Sequence, residues 1–175
     1  GAVSDEQNTS GFGIDGSGPL VAIFTINYPQ DRILANGQHV RASTQAQAIA
    51  YSNDDGLTWT LNKDNPVIPD PPAEYGDQYK DFRDPSVFWY EPDKQWVMVV
   101  ALSVLHKLLI YTSPDLKDWT RVSEFGPVNA VGGKWECPNL FPLPVDGDSR
   151  SLKWVMIISV DPGGPCIGSG TQYVT

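Results

Sequence analysis

Cysteine, histidine and long apolar runs are scarce in this sequence. Its 175 residues include 2 Cys and 2 His, at Cys137, Cys166, His39 and His106. Two cysteines, one beside an acidic residue and one in a segment rich in Gly and Pro, do not indicate a disulfide framework. Two separated histidines without acidic neighbours do not indicate a metal site, and no apolar run reaches the roughly 18 residues of a membrane span. We therefore predict no metal ion, no other cofactor and no membrane-spanning helix.

Basic residues are also in the minority. The 12 Lys and Arg side chains face 21 Asp and Glu, which gives a net charge of −9. Because no basic cluster offsets this charge, nucleic acids and anionic membranes are unfavourable partners. A neutral sugar suits such a surface, and some of the 6 Trp and 7 Tyr rings could stack on sugar rings, although we assign most of them to the core. The expected partner is a small-molecule or oligosaccharide ligand, and the sequence leaves the oligomeric state open.

Two pairs of segments repeat along the chain, and the repeat predicts the fold. Residues 50–60 align without a gap on residues 110–120, and residues 95–100 match residues 153–158. Four-stranded units that recur with loops of changing length are typical of β-propeller blades. Turns rich in Gly, Pro, Asn and Asp, with no sustained helical period, support an all-β chain.

The apolar segments place the strands of three such units, joined by long loops at 28–44 and 69–80. The predicted strands are 1–4, 20–26 and 47–52 in the first unit, 87–90, 96–102, 107–112 and one from near Trp119 in the second, and 139–143 and 153–160 in the third.

Two short motifs combine a carboxylate with a proline at the entry of a predicted innermost strand. They are Arg-Asp-Pro at 83–85 and Glu-Cys-Pro at 136–138. We interpret the motifs as equivalent, with Asp84 and Glu136 at matching positions that open the two strands and face one central cavity. A pair of opposed carboxylates is typical of glycoside hydrolysis. Turn chemistry is the alternative for one isolated motif, but the repeated context favours a shared site.

The neighbours of the two carboxylates predict different protonation states. Arg83 is next to Asp84 and would hold that carboxylate ionised. Glu136 lies between Trp135 and Cys137 with no adjacent basic residue, and an apolar setting favours the protonated form that a proton donor requires. One ionised and one protonated carboxyl group are what glycosidic cleavage needs.

Residues 52–59 also fit the Asp-box motif of sialidase-like propellers. That motif is a hairpin staple in its own right, and no arginine triad accompanies it here. We therefore interpret it as structural rather than as a mark of sialidase activity.

Further motifs extend along the whole chain. Beside those at 82–85 and 135–138, the sequence has Gly163-Gly164-Pro165 followed by 168–173, and distinctive segments at 8–13, 45–59 and 123–127. Together these motifs resemble glycoside hydrolase family 32, which contains invertases, exo-inulinases and related fructan enzymes. The resemblance covers essentially the whole chain and is strongest toward secreted fungal exo-inulinases and invertases.

By this resemblance the chain is a fragment of a five-bladed β-propeller, with about two to three blades present. Residues 1–175 would form part of one catalytic propeller domain, with blade II at about 1–65, blade III at about 82–125 and the start of blade IV at about 135–175. The first blade, the last blade and a C-terminal β-sandwich are then expected outside this sequence.

The resemblance also implies an activity and a role for each site residue. Enzymes of this family release terminal β-D-fructofuranosyl units from sucrose and inulin-type fructans by a retaining double displacement. By resemblance, Glu136 is the general acid/base, and Asp84 with Arg83 grips the fructosyl hydroxyls and stabilises the oxocarbenium-like transition state. Cys137 would contact the substrate beside Glu136 without acting as a nucleophile.

The nucleophile of the family is missing from the sequence. It is an Asp in an Asn-Asp-Pro-Asn-Gly-like motif, which does not occur here, and the nearest pair, Asn53-Asp54, lacks the proline and belongs to the Asp-box. We therefore expect the nucleophile to lie in a longer parent protein and the 175-residue chain by itself to be inactive.

Other functions stay open at this point. The alternatives are a fructosyltransferase of the same family, an inverting arabinanase-like glycosidase and a non-catalytic sugar-binding propeller. The sequence does not resolve sucrose from inulin as the preferred substrate. The resemblance and the glycosylation sequon Asn8-Thr9-Ser10 predict a secreted, extracellular glycoprotein.

Overall fold

Three antiparallel sheets follow one another along the chain in the computed structural model, which describes residues 1–163 and 169–175. The first sheet has the strand order β1, β2, β5, β6, and the hairpin β3–β4 lies in the connection between β2 and β5. The strands of this part of the chain are β1 (Ala2–Ser4), β2 (Leu20–Tyr28), β3 (Arg32–Ile33), β4 (His39–Val40), β5 (Thr44–Ser52) and β6 (Thr60–Leu61).

The second sheet has four strands in simple meander order, and the third has three strands among the described residues. They are β7 (Phe82–Tyr90), β8 (Gln95–Leu102), β9 (Lys107–Ser113), β10 (Thr120–Phe125), β11 (Lys134–Val145), β12 (Asp148–Asp161) and β13 (Gly170–Val174). Short 3-10 helices lie at Ala73–Gln78, Glu91–Asp93 and Ser103–Leu105. Across the described ranges, no helix has the length and apolar character needed to cross a membrane.

These sheets are β-propeller blades, and the predicted all-β fold class is confirmed. The first strand β7 of the second blade faces its neighbours, since it contacts β1 and β2 of the preceding blade and β11 of the following one. These contacts agree with an innermost position for the first strand of a blade. The two segments predicted to be plain loops contain short elements: residues 28–44 include the β3–β4 hairpin, and residues 69–80 include the 3-10 helix Ala73–Gln78.

Strand β8 explains how neighbouring blades share a core. Its residues are buried from Trp96 to Leu102, and alternate side chains point to opposite faces of the sheet. Met98 and Val100 pack in the cluster toward the first blade, whereas Val99 and Ala101 pack toward the third. A strand covered on both faces is apolar on both faces, so the continuous apolar run at 96–102 forms a strand rather than an amphipathic helix.

The Asp-box staples a hairpin, as the sequence indicates. The Asp54 carboxylate accepts hydrogen bonds from the Thr58 backbone N–H at 2.8 Å, the Thr58 hydroxyl at 2.6 Å and the Ser52 hydroxyl at 2.7 Å. These hydrogen bonds lower the pKa of Asp54 to about 2, and the bond from the Thr58 hydroxyl has the largest effect. In the next blade Asp115 makes the same kind of contact one residue out of the gap-free alignment, and accepts from the Ser113 hydroxyl two residues before it at 3.1 Å. The repeated carboxylates at 54 and 115 are therefore structural.

Gly126 offers a stability test of the packing between the second and third blades. Its φ is +93°, and a Cβ there would lie 2.7 Å from Cζ3 of the fully buried Trp135 and would overlap the His106 carbonyl oxygen. We expect Gly126→Ala to lower the free energy of unfolding by about 3 kcal/mol, from overpacking together with the left-handed backbone. The matched control is Gly147→Ala, whose φ is +80° in open space, with an expected loss of about 1 kcal/mol. Urea denaturation measures both, and equal losses would contradict the packing argument.

Candidate active site

The two motifs lie inside their strands and each produces a β-bulge. The pairing of β7 with β8 shifts register between Arg83 and Ser86, and the pairing of β11 with β12 shifts between Glu136 and Asn139. The expectation that the motifs open their strands is therefore wrong, because each strand starts earlier and continues across the bulge. A bulge adds one residue and redirects the side chains around it.

The residue before each proline has a left-handed backbone. Asp84 has a φ of 61° and Cys137 a φ of 48°, followed by Pro85 and Pro138. A positive φ is uncommon for residues other than glycine and persists only where the surrounding structure fixes it. Two such residues at matching places of adjacent innermost strands mark this region as a candidate site.

The structure corrects the equivalence between the motifs. Arg83, and not Asp84, matches Glu136, while Asp84 matches Cys137. The matched residues contact one another across the two blades: Arg83 Nη2 donates to Glu136 Oε1 at 2.7 Å, and the Cys137 backbone N–H donates to Asp84 Oδ2 at 3.0 Å. A shift of one residue moves a side chain to the other face of a strand, so the two carboxylates have different surroundings.

The guanidinium group of Arg83 joins the carboxylates of the site. Its Nη1 donates to Asp81 Oδ1 at 2.8 Å and to Gln45 Oε1 at 3.2 Å, whereas its Nε is 3.9 Å from Asp84 Oδ2. The expectation that Arg83 serves Asp84 and leaves Glu136 without a cation is wrong, since Glu136 forms the shorter contact. Burial alone would lower the pKa of Arg83, but its bonds to Asp81 and Glu136 raise it. Arg83 therefore stays charged between several acceptors.

Asp81 and Lys134 form part of the same network, although no sequence motif indicates either residue. Lys134 Nζ donates to Asp81 Oδ1 at 2.7 Å, the oxygen that also accepts from Arg83. Partial burial by itself would raise the pKa of Asp81, but hydrogen bonds and charges of Arg83 and Lys134 outweigh it and lower that pKa. The two residues come from different blades, so no local pattern signals their contact.

A second chain of hydrogen bonds holds the backbone of Asp84. Its N–H donates to Thr25 Oγ1 at 3.0 Å, and Thr25 Oγ1 donates to Gln47 Oε1 at 3.0 Å. Gln47 is fully buried and its Nε2 donates to the Phe82 carbonyl oxygen at 2.9 Å. Gln47 is one of two glutamines in β5, with Gln45 two residues earlier, so the sequence did not single it out as a support. Its role is to fix the bulge that orients Asp84.

Cys137 lies at the surface of the site. Partial burial, followed by the nearby charges of Asp84 and Glu136, raises the pKa of its thiol. A thiol with a raised pKa is more often protonated, and in that form it is a weak nucleophile. Residues 164–168 lie outside the described residues, which leaves out Cys166 and parts of the motifs at 163–165 and 168–173.

An open cleft of about 460 Å³ lies over the bulges. Asp84 and Ser86 line it from β7, and Cys137 and Asn139 line it from β11, with Thr25 on the side of the first blade. Its size is within the range of small-ligand sites. Within 1–163 and 169–175, no cluster of His, Cys, Asp and Glu side chains is arranged to hold a metal ion.

A family model and several relatives match this chain. The family model of the glycosyl hydrolases family 32 N-terminal domain matches residues 1–175. The chain is 58% identical over 175 residues to an extracellular exo-inulinase of Aspergillus niger, covering 98% of this chain and 32% of the relative.

Two solved structures show the same arrangement of strands. The exo-inulinase of Aspergillus awamori superposes with a TM-score of 0.94 at 56% identity, covering 98% of this chain and 34% of that one. A fructofuranosidase of Schwanniomyces occidentalis complexed with fructose superposes with a TM-score of 0.79 at 38% identity, covering 98% and 30%. The chain thus spans about a third of the length of the relatives it matches.

Proposed function

The chain belongs to glycosyl hydrolase family 32, and we propose that it forms part of a retaining β-fructofuranosidase that releases terminal β-D-fructofuranosyl units from sucrose and inulin-type fructans. The observation that carries the proposal is the contact of Glu136 and Asp84 with one guanidinium group, that of Arg83, beside an open cleft. The names of the relatives, an exo-inulinase and a fructofuranosidase seen with fructose, support this substrate class.

Glu136 is the proposed general acid/base. Arg83 holds its Oε1 at 2.7 Å, and its Oε2 has no hydrogen-bond partner among the described residues, so one oxygen is oriented and the other is available. In the first step Glu136 gives its proton to the glycosidic oxygen, the bond from that oxygen to the anomeric carbon breaks, and the nucleophile, a carboxylate assigned to another blade, forms a bond to that carbon. In the second step the ionised Glu136 takes a proton from a water molecule, whose oxygen displaces the nucleophile from the anomeric carbon. Arg83 thereby stabilises the carboxylate of Glu136 after Glu136 has donated its proton.

Asp84 is the proposed transition-state stabiliser. It lines the cleft, and its Oδ2 accepts from the Cys137 N–H at 3.0 Å. A fixed negative charge close to the sugar ring favours the positive charge that develops at the anomeric carbon, and its oxygens can accept hydrogen bonds from fructosyl hydroxyls. The nucleophile is assigned to a carboxylate of another blade, because this sequence has no Asn-Asp-Pro-Asn-Gly motif.

The place of the chain in the whole protein is also part of the proposal. We assign residues 1–65 to blade II, 82–125 to blade III and 135–175 to the start of blade IV of a five-bladed propeller. Secretion is supported by the name of the extracellular Aspergillus niger relative and by the sequon at Asn8.

Product analysis tests the proposed reaction. The complete protein is incubated with sucrose and with inulin, and the released sugars are followed by ¹H NMR before mutarotation. We expect free fructose, first as the β-anomer, because two displacements retain configuration. The α-anomer would favour an inverting arabinanase-like enzyme, and growth of longer oligosaccharides at high sucrose would favour a fructosyltransferase. Binding of fructosides without any turnover would favour a sugar-binding propeller.

A further inference from the structure

A single carboxylate oxygen joins two cations from adjacent blades next to Glu136. Asp81 Oδ1 accepts from Arg83 Nη1 at 2.8 Å and from Lys134 Nζ at 2.7 Å. Arg83 precedes the bulge of β7, and Lys134 begins β11 two residues before Glu136. The two blades therefore meet at an ion pair directly behind the proposed acid.

The burial of Arg83 and Asp81 distinguishes their ion pair from a surface salt bridge. The side chains of Arg83 and Asp81 are 14% and 22% exposed, whereas that of Lys134 is 46% exposed. Partly buried charges are screened less by water and salt than exposed ones, so they influence one another more strongly. Arg83 is shared between Asp81 on Nη1 and Glu136 on Nη2, at nearly equal distances.

We propose that Asp81 and Lys134 form a positioning pair that holds Arg83 and, through it, sets the pH range in which Glu136 is protonated. Asp81 withdraws part of the positive charge of Arg83 from Glu136, and Lys134 compensates the charge of Asp81. Neither residue touches the substrate cleft, so both act through Arg83. This inference rests on the proposed role of Glu136 as the general acid/base.

Several other ionisable groups lie on the strands and turns around the pair and stay unchanged in the test. Among the described residues they are Arg83 and Asp84 on β7, Cys137 on β11, His106 in the β8–β9 turn with Nε2 2.7 Å from the Gly133 carbonyl oxygen, and Asp161 on β12 opposite Lys134.

Removing one charge of the pair at a time gives shifts of opposite sign. Asp81→Asn keeps an acceptor oxygen for Arg83 but removes a negative charge, so the ionised form of Glu136 becomes more favourable. In the pH profile of kcat/KM, the alkaline limb reports the loss of the proton from Glu136. This limb is expected to move to lower pH by about 0.5 to 1 pH unit. Lys134→Met removes a positive charge, so the limb is expected to move to higher pH, by roughly 0.5 pH unit because Lys134 is half exposed.

The experiment measures kcat and KM against pH in the complete protein, with sucrose as substrate. The variants are Asp81→Asn, Lys134→Met and the double variant, in which the two charge changes cancel and the limb should return close to the parental position. Asp77→Asn is the matched control, because it makes the same charge change at an exposed position in the preceding 3-10 helix. We expect its profile to equal that of the parent.

The outcomes distinguish the proposed role of Asp81 and Lys134 from the proposed role of Glu136 as general acid/base. Opposite shifts of the limb, cancelled in the double variant, support the positioning pair. Limbs that stay in place, or that move in the same direction, overturn it, because a merely structural pair would lower kcat or stability without that pattern. Glu136→Gln is measured in parallel, and parental turnover in this variant would show that the proposed acid is wrong. If Glu136→Gln loses turnover while the alkaline limbs of the Asp81 and Lys134 variants stay in place, only the proposed role of Asp81 and Lys134 is wrong.

Discussion

Replacing Glu136 with glutamine is expected to lower kcat on sucrose by about 10²–10⁴-fold in the complete protein, the range typical of general acid–base catalysis. Glutamine has the same shape, and its Oε1 can still accept the hydrogen bond that Arg83 Nη2 gives to Glu136 at 2.7 Å. The site should therefore remain assembled while the proton is lost. Steady-state kinetics with sucrose measure the effect.

The control for this variant is Glu6→Gln, the same chemical change at an exposed position between β1 and β2. Its kcat should match that of the parent. If Glu136→Gln also kept near-parental turnover, the assignment of Glu136 as the proton donor would be wrong.

The strands were predictable because blade packing leaves a mark in the sequence. A strand covered on both faces is apolar throughout, so the prediction at 96–102 differs from the observed Gln95–Leu102 by one residue. The interpretation of the Asp-box at 52–59 as structural agrees with its hydrogen bonds, which join residues close in sequence. Local patterns of this kind fix secondary structure and the order of the blades.

The pairing within the site could not be obtained in the same way. The sequence interpretation matched Asp84 with Glu136, but the bulges match Arg83 with Glu136. The signal was present in the prolines, because Pro85 and Pro138 each follow the bulged residue directly and align the motifs one residue differently. Aligning the two motifs on their carboxylates rather than on their prolines shifts the register by one residue and matches the wrong side chains.

The supporting residues were beyond the reach of sequence patterns. Asp81 and Lys134 meet across two blades, and Thr25 reaches Asp84 from a third. Such contacts depend on how the blades pack, which no short motif encodes. The sequence therefore identifies the candidate catalytic residues, whereas the structure identifies which of them form hydrogen bonds or ion pairs with one another.

Replacing Asp84 with asparagine is expected to lower kcat/KM on sucrose by about 10²–10³-fold, the loss typical of removing one electrostatic stabiliser of a transition state. Asparagine tolerates a positive φ better than most residues, so the φ of 61° at this position should persist. Its Oδ1 can also accept the Cys137 N–H that Asp84 Oδ2 accepts at 3.0 Å. The variant thus removes the charge with little change to the bulge.

Substrates with different leaving groups distinguish the proposed role of Asp84 from that of Glu136. An activated aryl fructoside needs little protonation of its leaving group, so it should restore much of the first-step rate of Glu136→Gln. The same substrate should not rescue Asp84→Asn, because positive charge develops on the fructosyl ring whichever group departs. Pre-steady-state release of the aryl group, compared with sucrose turnover for both variants, measures the difference. Equal rescue of the two variants would show that Asp84 assists departure of the leaving group rather than stabilising the charge on the ring.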